Sequence, residues 1–134
     1  MSNQTPENLY YTKNHEWLHP EANSCYRVGM TSQAQSLLGE VIFVDLPGLE
    51  EVLSAGENCA VTESEKAAVD VYAPISGKII AINEALNGEP ELINQDPYGK
   101  GWLFVIQASD KIELSQLLTA SDYQTYQQEL VDSE

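Results

Sequence analysis

The chain has 134 residues, of which 43% are hydrophobic and 20% charged, a composition typical of one compact globular domain. Its net charge of −15 argues against a nucleic-acid partner, because 21 acidic residues would repel phosphates. No apolar run approaches the roughly 20 residues of a membrane-spanning helix, so no membrane partner is expected. The acidic surface predicts either steering toward partners with basic patches or simply a protein that stays dissolved and monomeric.

The N-terminal region is predicted to be a flexible segment, residues 1–8, followed by a β-hairpin. Its sequence, MSNQTPENLYY, lacks the basic and apolar segments of a secretory signal and the Arg-rich pattern of a transit peptide, which favours the bacterial cytoplasm. Residues 15–18 and Cys25–Met30 have strand-like composition, and residues 19–24 between them are turn formers. A hairpin is therefore the first predicted element.

Two helices are predicted, one after this hairpin and one at the C-terminus. Thr31 or Ser32 can cap a short helix that ends before Gly39, which is placed for a left-handed C-cap. Residues 121–134 are predicted as a helix and tail that open with a Ser-x-x-Gln capping box. One face of this second helix carries Tyr123, Tyr126 and Leu130.

Several short strands are predicted between the two helices. They cover residues 41–44, 57–64, 69–73, 78–82 and 102–106. In the second of these strands, Cys59 and Val61 are predicted to share one face. Turns rich in Gly and Pro separate the strands, and no linker divides the chain. This pattern predicts a single mostly β domain, a sandwich or a barrel.

A short internal sequence repeat suggests a quasi-twofold arrangement of strands. Residues 39–45 and 77–83 both begin with Gly, a charged residue and two apolar residues. A loop and a second apolar step follow each copy, at residues 52–53 and 92–93. Chance similarity between two strands that start at Gly turns is the alternative. The two copies lie on either side of Lys66.

Lys66 is the residue of greatest interest, because it falls at a predicted hairpin tip. Strand-like runs at residues 58–64 and 67–73 are joined by Glu65 and Lys66, neither of which is a preferred turn former. A lysine in that place can be selected for chemistry, since its unbranched stem makes a flexible tether. The alternative is an exposed lysine that only keeps the surface soluble.

The two cysteines and two histidines are expected to have structural rather than chemical roles. Cys25 and Cys59 lie far apart and outside any metal-ligand spacing, so two reduced thiols are expected. His15 and His19 are four residues apart but fall in a strand and a proline turn, so they are expected to be structural. No metal site and no catalytic constellation is predicted.

Seven motifs in order carry a family resemblance. They are YTxxHEW, VGxTxxAQxxLG, VIFVDLP, ESxKAAxDVYAP, SG, PxLxN and DPYGxGW, which start at residues 11, 28, 41, 63, 76, 90 and 96. From Leu9 onward, the chain resembles the H-protein family of the glycine cleavage system. The resemblance implies a barrel-sandwich hybrid of the lipoyl/biotinyl type, mostly β, with short flanking helices, a C-terminal helix and one lipoyl-carrier domain over residues 1–134.

The resemblance also implies a function. Lys66 aligns with the family lysine that receives lipoate, so the chain is expected to be a non-catalytic carrier. Its expected partners are a pyridoxal-phosphate glycine decarboxylase that loads an aminomethyl group, a tetrahydrofolate-dependent aminomethyltransferase that unloads it and an FAD-containing dihydrolipoamide dehydrogenase. Lipoate-attaching enzymes are expected to modify Lys66.

Glu16 and Asp70 are candidates to hold the loaded arm, because a carboxylate can bind a protonated amine by a charge-assisted hydrogen bond. Both belong to family motifs, and surface solvation is the alternative for each. The chain departs from the family at Glu65, where Val is usual, and at Val69, where Ser is common. The acidic residue leaves open which ligase prefers this tip.

Three other functions are considered. The protein could be a lipoyl relay that donates lipoate to 2-oxoacid dehydrogenases, as some relatives do. It could also be an unmodified acidic binding protein. A biotin carrier fits less well, because its lysine usually lies between methionines and here the neighbours are Glu65 and Ala67.

Overall fold

A computed structural model of the chain describes residues 5–109 and 116–132. Two antiparallel sheets dominate it, a six-stranded sheet in the order β1-β2-β3-β9-β8-β5 and a three-stranded sheet in the order β4-β6-β7. The strands β1 to β9 are Tyr10–Tyr11, Glu16–Pro20, Cys25–Met30, Val41–Asp45, Val52–Leu53, Asn58–Ser64, Ala68–Tyr72, Gly77–Ile82 and Phe104–Ala108. The predicted barrel-sandwich hybrid is confirmed.

The helices flank these sheets. They are α1, α2 and α3, at Ser32–Leu38, Leu92–Gln95 and Ala120–Asp132, with a short 3₁₀ turn at Glu84–Asn87. The main core lies between the sheets, where apolar side chains from both meet; its fully buried members include Leu18, Val28, Ile75, Ile79, Leu103, Phe104 and Ile106. In the described parts of the chain, no helix is long and apolar enough to cross a membrane.

A second, smaller core joins α3 to the large sheet. It consists of Leu9, Tyr11, Trp17, Ala120 and Tyr123, with Tyr126 packed against it. The prediction of an amphipathic C-terminal helix is therefore confirmed for the two tyrosines, while the side chain of Leu130 lies outside the described residues. Because this core is aromatic, the helix buries a large apolar area with few residues.

The N-cap predicted for α1 is confirmed, whereas the N-cap predicted for α3 is not. Thr31 is the N-cap of α1, and its hydroxyl accepts a hydrogen bond from the Ala34 amide. Gly39 follows α1 at φ +92°, a conformation that favours glycine, although its ψ of −163° is not the helical left-handed value. The predicted capping box at Ser121 is wrong. Helix α3 is capped two residues earlier, with Thr119 Oγ1 accepting from the Asp122 amide at 3.1 Å.

The strands also differ from prediction in detail. Strand β2 continues through Pro20, so the first turn is shorter than expected, and β9 starts at Phe104 rather than Trp102. A bulge at Asn58 and Ala60 turns both Cys59 and Ala60 inward, while Val61 faces the outer side. Cys59 and Val61 therefore do not share a face, because the bulge breaks the period-two alternation.

The internal sequence repeat is only partly reflected in the fold. Its first elements are the strands β4 and β8, which lie in different sheets. Its second elements differ, since Val52–Leu53 forms a strand whereas residues 92–93 begin helix α2. The predicted boundary of a flexible N-terminus at residue 8 stays a prediction, although the Pro6 carbonyl already accepts a 2.6 Å hydrogen bond from the Tyr11 hydroxyl.

Candidate functional site

Lys66 lies at the tip of the hairpin formed by β6 and β7. The two strands are in register up to the pair Glu63 and Ala68, immediately before the tip. Both Glu65 and Lys66 are exposed, as predicted. The lysine therefore projects from the end of a paired β-ribbon, which places its amine in solvent on a well-supported base.

The turn itself depends on Ser64. Its hydroxyl accepts hydrogen bonds from the backbone amides of Lys66 and Ala67, at 3.1 and 3.2 Å. The Ser64 amide also donates to the Ala67 carbonyl at 2.8 Å. A serine hydroxyl bonded to the next amides is a recognised turn device. The absence of Asn, Asp and Gly at the tip is thus explained by Ser64, a signal that sequence reasoning missed.

Replacing Ser64 by alanine is expected to loosen the tip. Two backbone amides would lose their partner, so amide hydrogen exchange at Lys66 and Ala67 is expected to accelerate by about five- to tenfold, the equivalent of one hydrogen bond of about 1 kcal/mol. The measurement is exchange by NMR. Ser54→Ala is the control, because the exposed Ser54 hydroxyl makes no hydrogen bond within the described residues. Unchanged exchange in Ser64→Ala would contradict the role of the hydroxyl.

A surface groove of about 270 Å³ runs beside the lysine. It is lined by Leu38, Glu40, Ile42, Ser64, Glu65 and Lys66. A Cβ placed on the neighbouring Gly39 would lie 3.4 Å from Lys66 Cε, so the lysine stem passes directly over the glycine. The groove offers both apolar and acidic surface next to the amine.

Asn94 holds the wall of this groove. Its side-chain oxygen accepts from the Val41 amide at 2.8 Å, and its nitrogen donates to the Gly39 carbonyl at 2.9 Å. The same nitrogen donates to Gln35 Oε1. Asn94 thereby fixes the backbone between α1 and β4. It belongs to the PxLxN motif, but nothing in the sequence indicated that its contacts would lie near Lys66.

Glu16 is not a solvated surface residue. Only 2% of it is exposed, and its carboxylate accepts hydrogen bonds from the Tyr72 amide at 2.8 Å and the Thr12 hydroxyl at 3.1 Å. Burial raises the pKa of Glu16 to about 7, against the opposing effect of these hydrogen bonds. The carboxylate therefore links the two sheets at the open edge of β7 and is poised to titrate near neutral pH.

Glu16 and Lys66 line different cavities. Glu16 lines a cavity of about 250 Å³ together with residues 12–14, 55–56, 73–74 and 116–118, and this cavity shares no lining residue with the groove at Lys66. Asp70 is exposed on β7 and lines neither of these cavities. Both carboxylates are nevertheless close to β7, the strand that leads away from the tip. Asp70 is a residue of β7, and Glu16 accepts a hydrogen bond from the amide of Tyr72, two residues further along this strand.

The histidines and cysteines occupy structural positions. His15 is half-buried, and its Nδ1 lies 2.6 Å from the Tyr123 hydroxyl, while His19 makes a 2.7 Å contact with Glu21. Cys25 and Cys59 are free and buried, and burial raises the pKa of the Cys59 thiol to about 12. Among the described residues, no cluster of acidic, histidine or cysteine side chains has the geometry of a metal site.

Together, these features define a class of protein. A paired β-hairpin presents an exposed lysine at its tip, above a glycine that leaves room for the stem and beside a surface groove. This is the arrangement of a carrier domain, which displays a side chain to be modified and then visited by other proteins.

Comparison with known proteins identifies the family. The family model described as glycine cleavage H-protein matches residues 9–130. The glycine cleavage system H protein of Photorhabdus laumondii is 57% identical over 124 residues, covering 92% of this chain and 95% of that protein. The Escherichia coli H protein is 55% identical over 125 residues, covering 93% and 96%.

A solved structure agrees with these sequence matches. The crystal structure of a glycine cleavage system H protein from Mycobacterium marinum superimposes with a TM-score of 0.83 at 42% identity, covering 91% of this chain and 98% of that one. The chain belongs to the glycine cleavage H-protein family. It is a carrier component of the glycine cleavage system, as its sequence motifs predicted.

Proposed function

We propose that lipoate is joined to Lys66 through an amide bond and that the resulting arm shuttles the aminomethyl group of glycine between enzymes. The observation that carries this proposal is the exposed position of Lys66 at the end of the β6–β7 ribbon, in a chain of the H-protein family. An amine at such a tip can enter the active site of a modifying enzyme without disturbing the fold.

The surroundings of Lys66 fit a lipoyl group. Gly39 has no side chain to obstruct the lysine stem, and a Cβ there would contact Lys66 Cε at 3.4 Å. Ile42 and Leu38 line the adjacent groove, and the exposed side chain of Ile42 offers apolar surface to an acyl chain. No charged group of the chain forms an ion pair with Lys66 within the described residues, so the amine is free to be acylated.

When bound, lipoate supplies a strained disulfide, because its five-membered ring cannot reach the C–S–S–C dihedral near 90° of a relaxed disulfide and therefore opens readily. The protein's own residues support and orient the arm. Ser64 and Asn94 hold its base through the contacts described above. This division of labour needs no acid, base or nucleophile of the chain, and we therefore assign it a non-catalytic role.

The proposed partners follow from this role. A pyridoxal-phosphate glycine decarboxylase loads the arm, a tetrahydrofolate-dependent aminomethyltransferase unloads it, and an FAD-containing dihydrolipoamide dehydrogenase restores the disulfide. Lipoate-attaching enzymes act before them. The exposed acidic residues around the tip, Glu40, Glu65 and Asp70, favour partners with basic docking surfaces. We place the working protein in the bacterial cytoplasm as a monomer.

Asp70 and Glu16 are the proposed contacts for the amine of the loaded arm. Asp70 lies four residues along from Lys66, roughly 13 Å at the rise of a β-strand. Glu16 contacts β7 farther along, at Tyr72, from a cavity that has room for a small head group. A buried carboxylate that is ionised by a cationic partner holds it more strongly than an exposed one. Glu16 is therefore assigned the larger contribution.

The experiment that tests the attachment site is mass spectrometry of the intact protein from its native host. The expected result is a mass increase equal to one lipoyl group, and peptide mapping is expected to place it on Lys66. An unmodified mass would instead favour an acidic binding protein. Modification at another lysine, such as Lys78 or Lys100, would contradict the proposed site while leaving a carrier role intact.

A further inference from the structure

The hydroxyl of Tyr123 lies between two parts of the chain that are distant in sequence. It is 2.6 Å from His15 Nδ1 and 2.9 Å from Thr31 Oγ1, and Tyr123 itself is fully buried. Its ring stacks on Tyr11 with centroids 4.8 Å apart. The ring thus serves to pack α3 onto the sheet, whereas the hydroxyl makes specific contacts that packing alone does not require.

His15 belongs to a tight loop whose conformation is unfavourable. Its φ is +65°, in the left-handed region where histidine, asparagine and aspartate occur more often than other residues with side chains but which still costs of order 1 kcal/mol or more. The loop is closed by hydrogen bonds from the His15 amide to the Thr12 carbonyl and from the Thr12 amide to the Glu16 carbonyl. Glu16, the buried carboxylate, is the next residue, so the geometry of this loop determines where its side chain points.

Thr31 connects the same hydroxyl to the lysine site. The Thr31 amide donates to the His15 carbonyl at 3.0 Å, and its side chain caps α1. Helix α1 is followed directly by Gly39, which lies beneath the Lys66 stem. When His15 is neutral, these groups can form a continuous series of hydrogen bonds. The Thr31 hydroxyl donates to the Tyr123 hydroxyl, which in turn donates to His15 Nδ1.

We propose that Tyr123 is a positioning residue for the arm. The Tyr123 hydroxyl holds the loop of residues 12–16 in its strained conformation, and this conformation directs Glu16 into its cavity. This inference rests on the proposed function, in which Glu16 receives the amine of the loaded arm. Without the hydroxyl, the loop relaxes from its strained conformation. The apparent affinity for the arm falls with the fraction of molecules in which Glu16 is correctly placed.

The test uses Tyr123→Phe, which keeps the stacked ring and removes only the hydroxyl. Tyr11→Phe is the matched control, because it removes a buried hydroxyl from the same aromatic pair, one that bonds the Pro6 carbonyl and not the loop. The first measurement is amide hydrogen exchange of Tyr72 in the unmodified full chain, since this amide donates to Glu16 Oε2. Exchange at Tyr72 is expected to accelerate about five- to tenfold in Tyr123→Phe and to stay unchanged in Tyr11→Phe.

The second measurement is ammonia release from the lipoylated, aminomethyl-loaded protein. Release is expected to be about five- to tenfold faster in Tyr123→Phe than in the wild type and to remain at the wild-type rate in Tyr11→Phe. Glu16→Gln is the comparator. If Glu16→Gln accelerates release and Tyr123→Phe does not, the positioning role is overturned; if Glu16→Gln itself has no effect, the proposed docking at Glu16 fails.

A second variant keeps the test decisive if Tyr123→Phe does not fold. His15→Ala removes the imidazole, and with it the contact to the Tyr123 hydroxyl, but keeps the stacked pair of Tyr11 and Tyr123. Faster Tyr72 exchange and faster ammonia release in a folded His15→Ala support the positioning role. Wild-type values for both would overturn it, because the loop would then keep its geometry without the contact.

Discussion

Replacing Lys66 by arginine is expected to abolish lipoylation and the carrier activity that depends on it. Arginine keeps the positive charge and the length of the side chain, but its guanidinium stays protonated and does not form the amide. The exposed tip should tolerate the change, so the fold is expected to be intact. The measurement is glycine–bicarbonate exchange with the partner decarboxylase, which should fall to the rate without the protein, together with intact mass.

Lys78→Arg is the matched control for this experiment. Lys78 is exposed on β8, in the other sheet, and its replacement is expected to leave both lipoylation and exchange at wild-type levels. Exchange activity that survives in Lys66→Arg would refute the attachment site. A wild-type protein that is lipoylated but inactive in exchange, and that passes lipoate to a purified 2-oxoacid dehydrogenase acyltransferase, would favour the relay role instead.

Glu16 is expected to make the stability of the protein depend on pH in an unusual direction. Its pKa is about 7 in the folded protein and near 4.5 in the unfolded chain. Between these values the folded state holds a proton that the unfolded state has released, so its stabilising contribution is complete below pH 4.5 and is lost as pH rises through 7. The loss is about 3 kcal/mol at most for a shift of this size.

The matched variant is Glu16→Gln, which has nearly the same shape and no charge to titrate. Urea unfolding at several pH values is expected to show the wild type losing stability relative to Glu16→Gln as pH rises from 5 to 8. Parallel pH profiles for the two proteins would contradict the raised pKa. Asp70→Asn is the control, because Asp70 is exposed and its replacement should alter stability little.

The protein is expected to retain the aminomethyl group more strongly as pH rises, whereas its stability falls. The cationic amine favours the ionised carboxylate, so ammonia release from loaded Glu16→Gln should exceed that of the wild type by roughly 10- to 100-fold at pH 8, the range of a charge-assisted hydrogen bond. At pH 5 the wild-type carboxyl is protonated and the ratio should shrink. A ratio independent of pH would show that Glu16 does not hold the amine through its charge.

Much of the fold was predictable because its signals are local. Strand composition and turn formers located the first hairpin, and the threonine before α1 was correctly identified as a candidate N-cap. The tip at Glu65 and Lys66 was also correctly placed. Errors arose where local rules compete, as at Ser121, which lies in the first turn of α3 because Thr119 supplies the cap. The bulge at Cys59 escaped prediction because one inserted residue leaves the composition of a strand unchanged.

The character of Glu16 could not be read from the sequence. A glutamate between a histidine and a tryptophan is compatible with a solvated strand end or with burial, and only the pairing of Glu16 with the Tyr72 amide, 56 residues away, decides between them. The contact of His15 with Tyr123 spans 108 residues. Such contacts depend on how the two sheets and α3 pack, and no local pattern encodes them.

The sequence by itself determined that Lys66 lies at a hairpin tip and that the chain has the motifs of a carrier, because strand periodicity, turns and motif spacing are properties of neighbouring residues. Only the tertiary structure decided how that tip is supported, with Gly39 beneath the lysine stem and Asn94 holding the backbone beside it. The same packing buries Glu16 and raises its pKa to about 7. Burial and long-range hydrogen bonds arise when distant segments meet, so they exist only in the folded molecule.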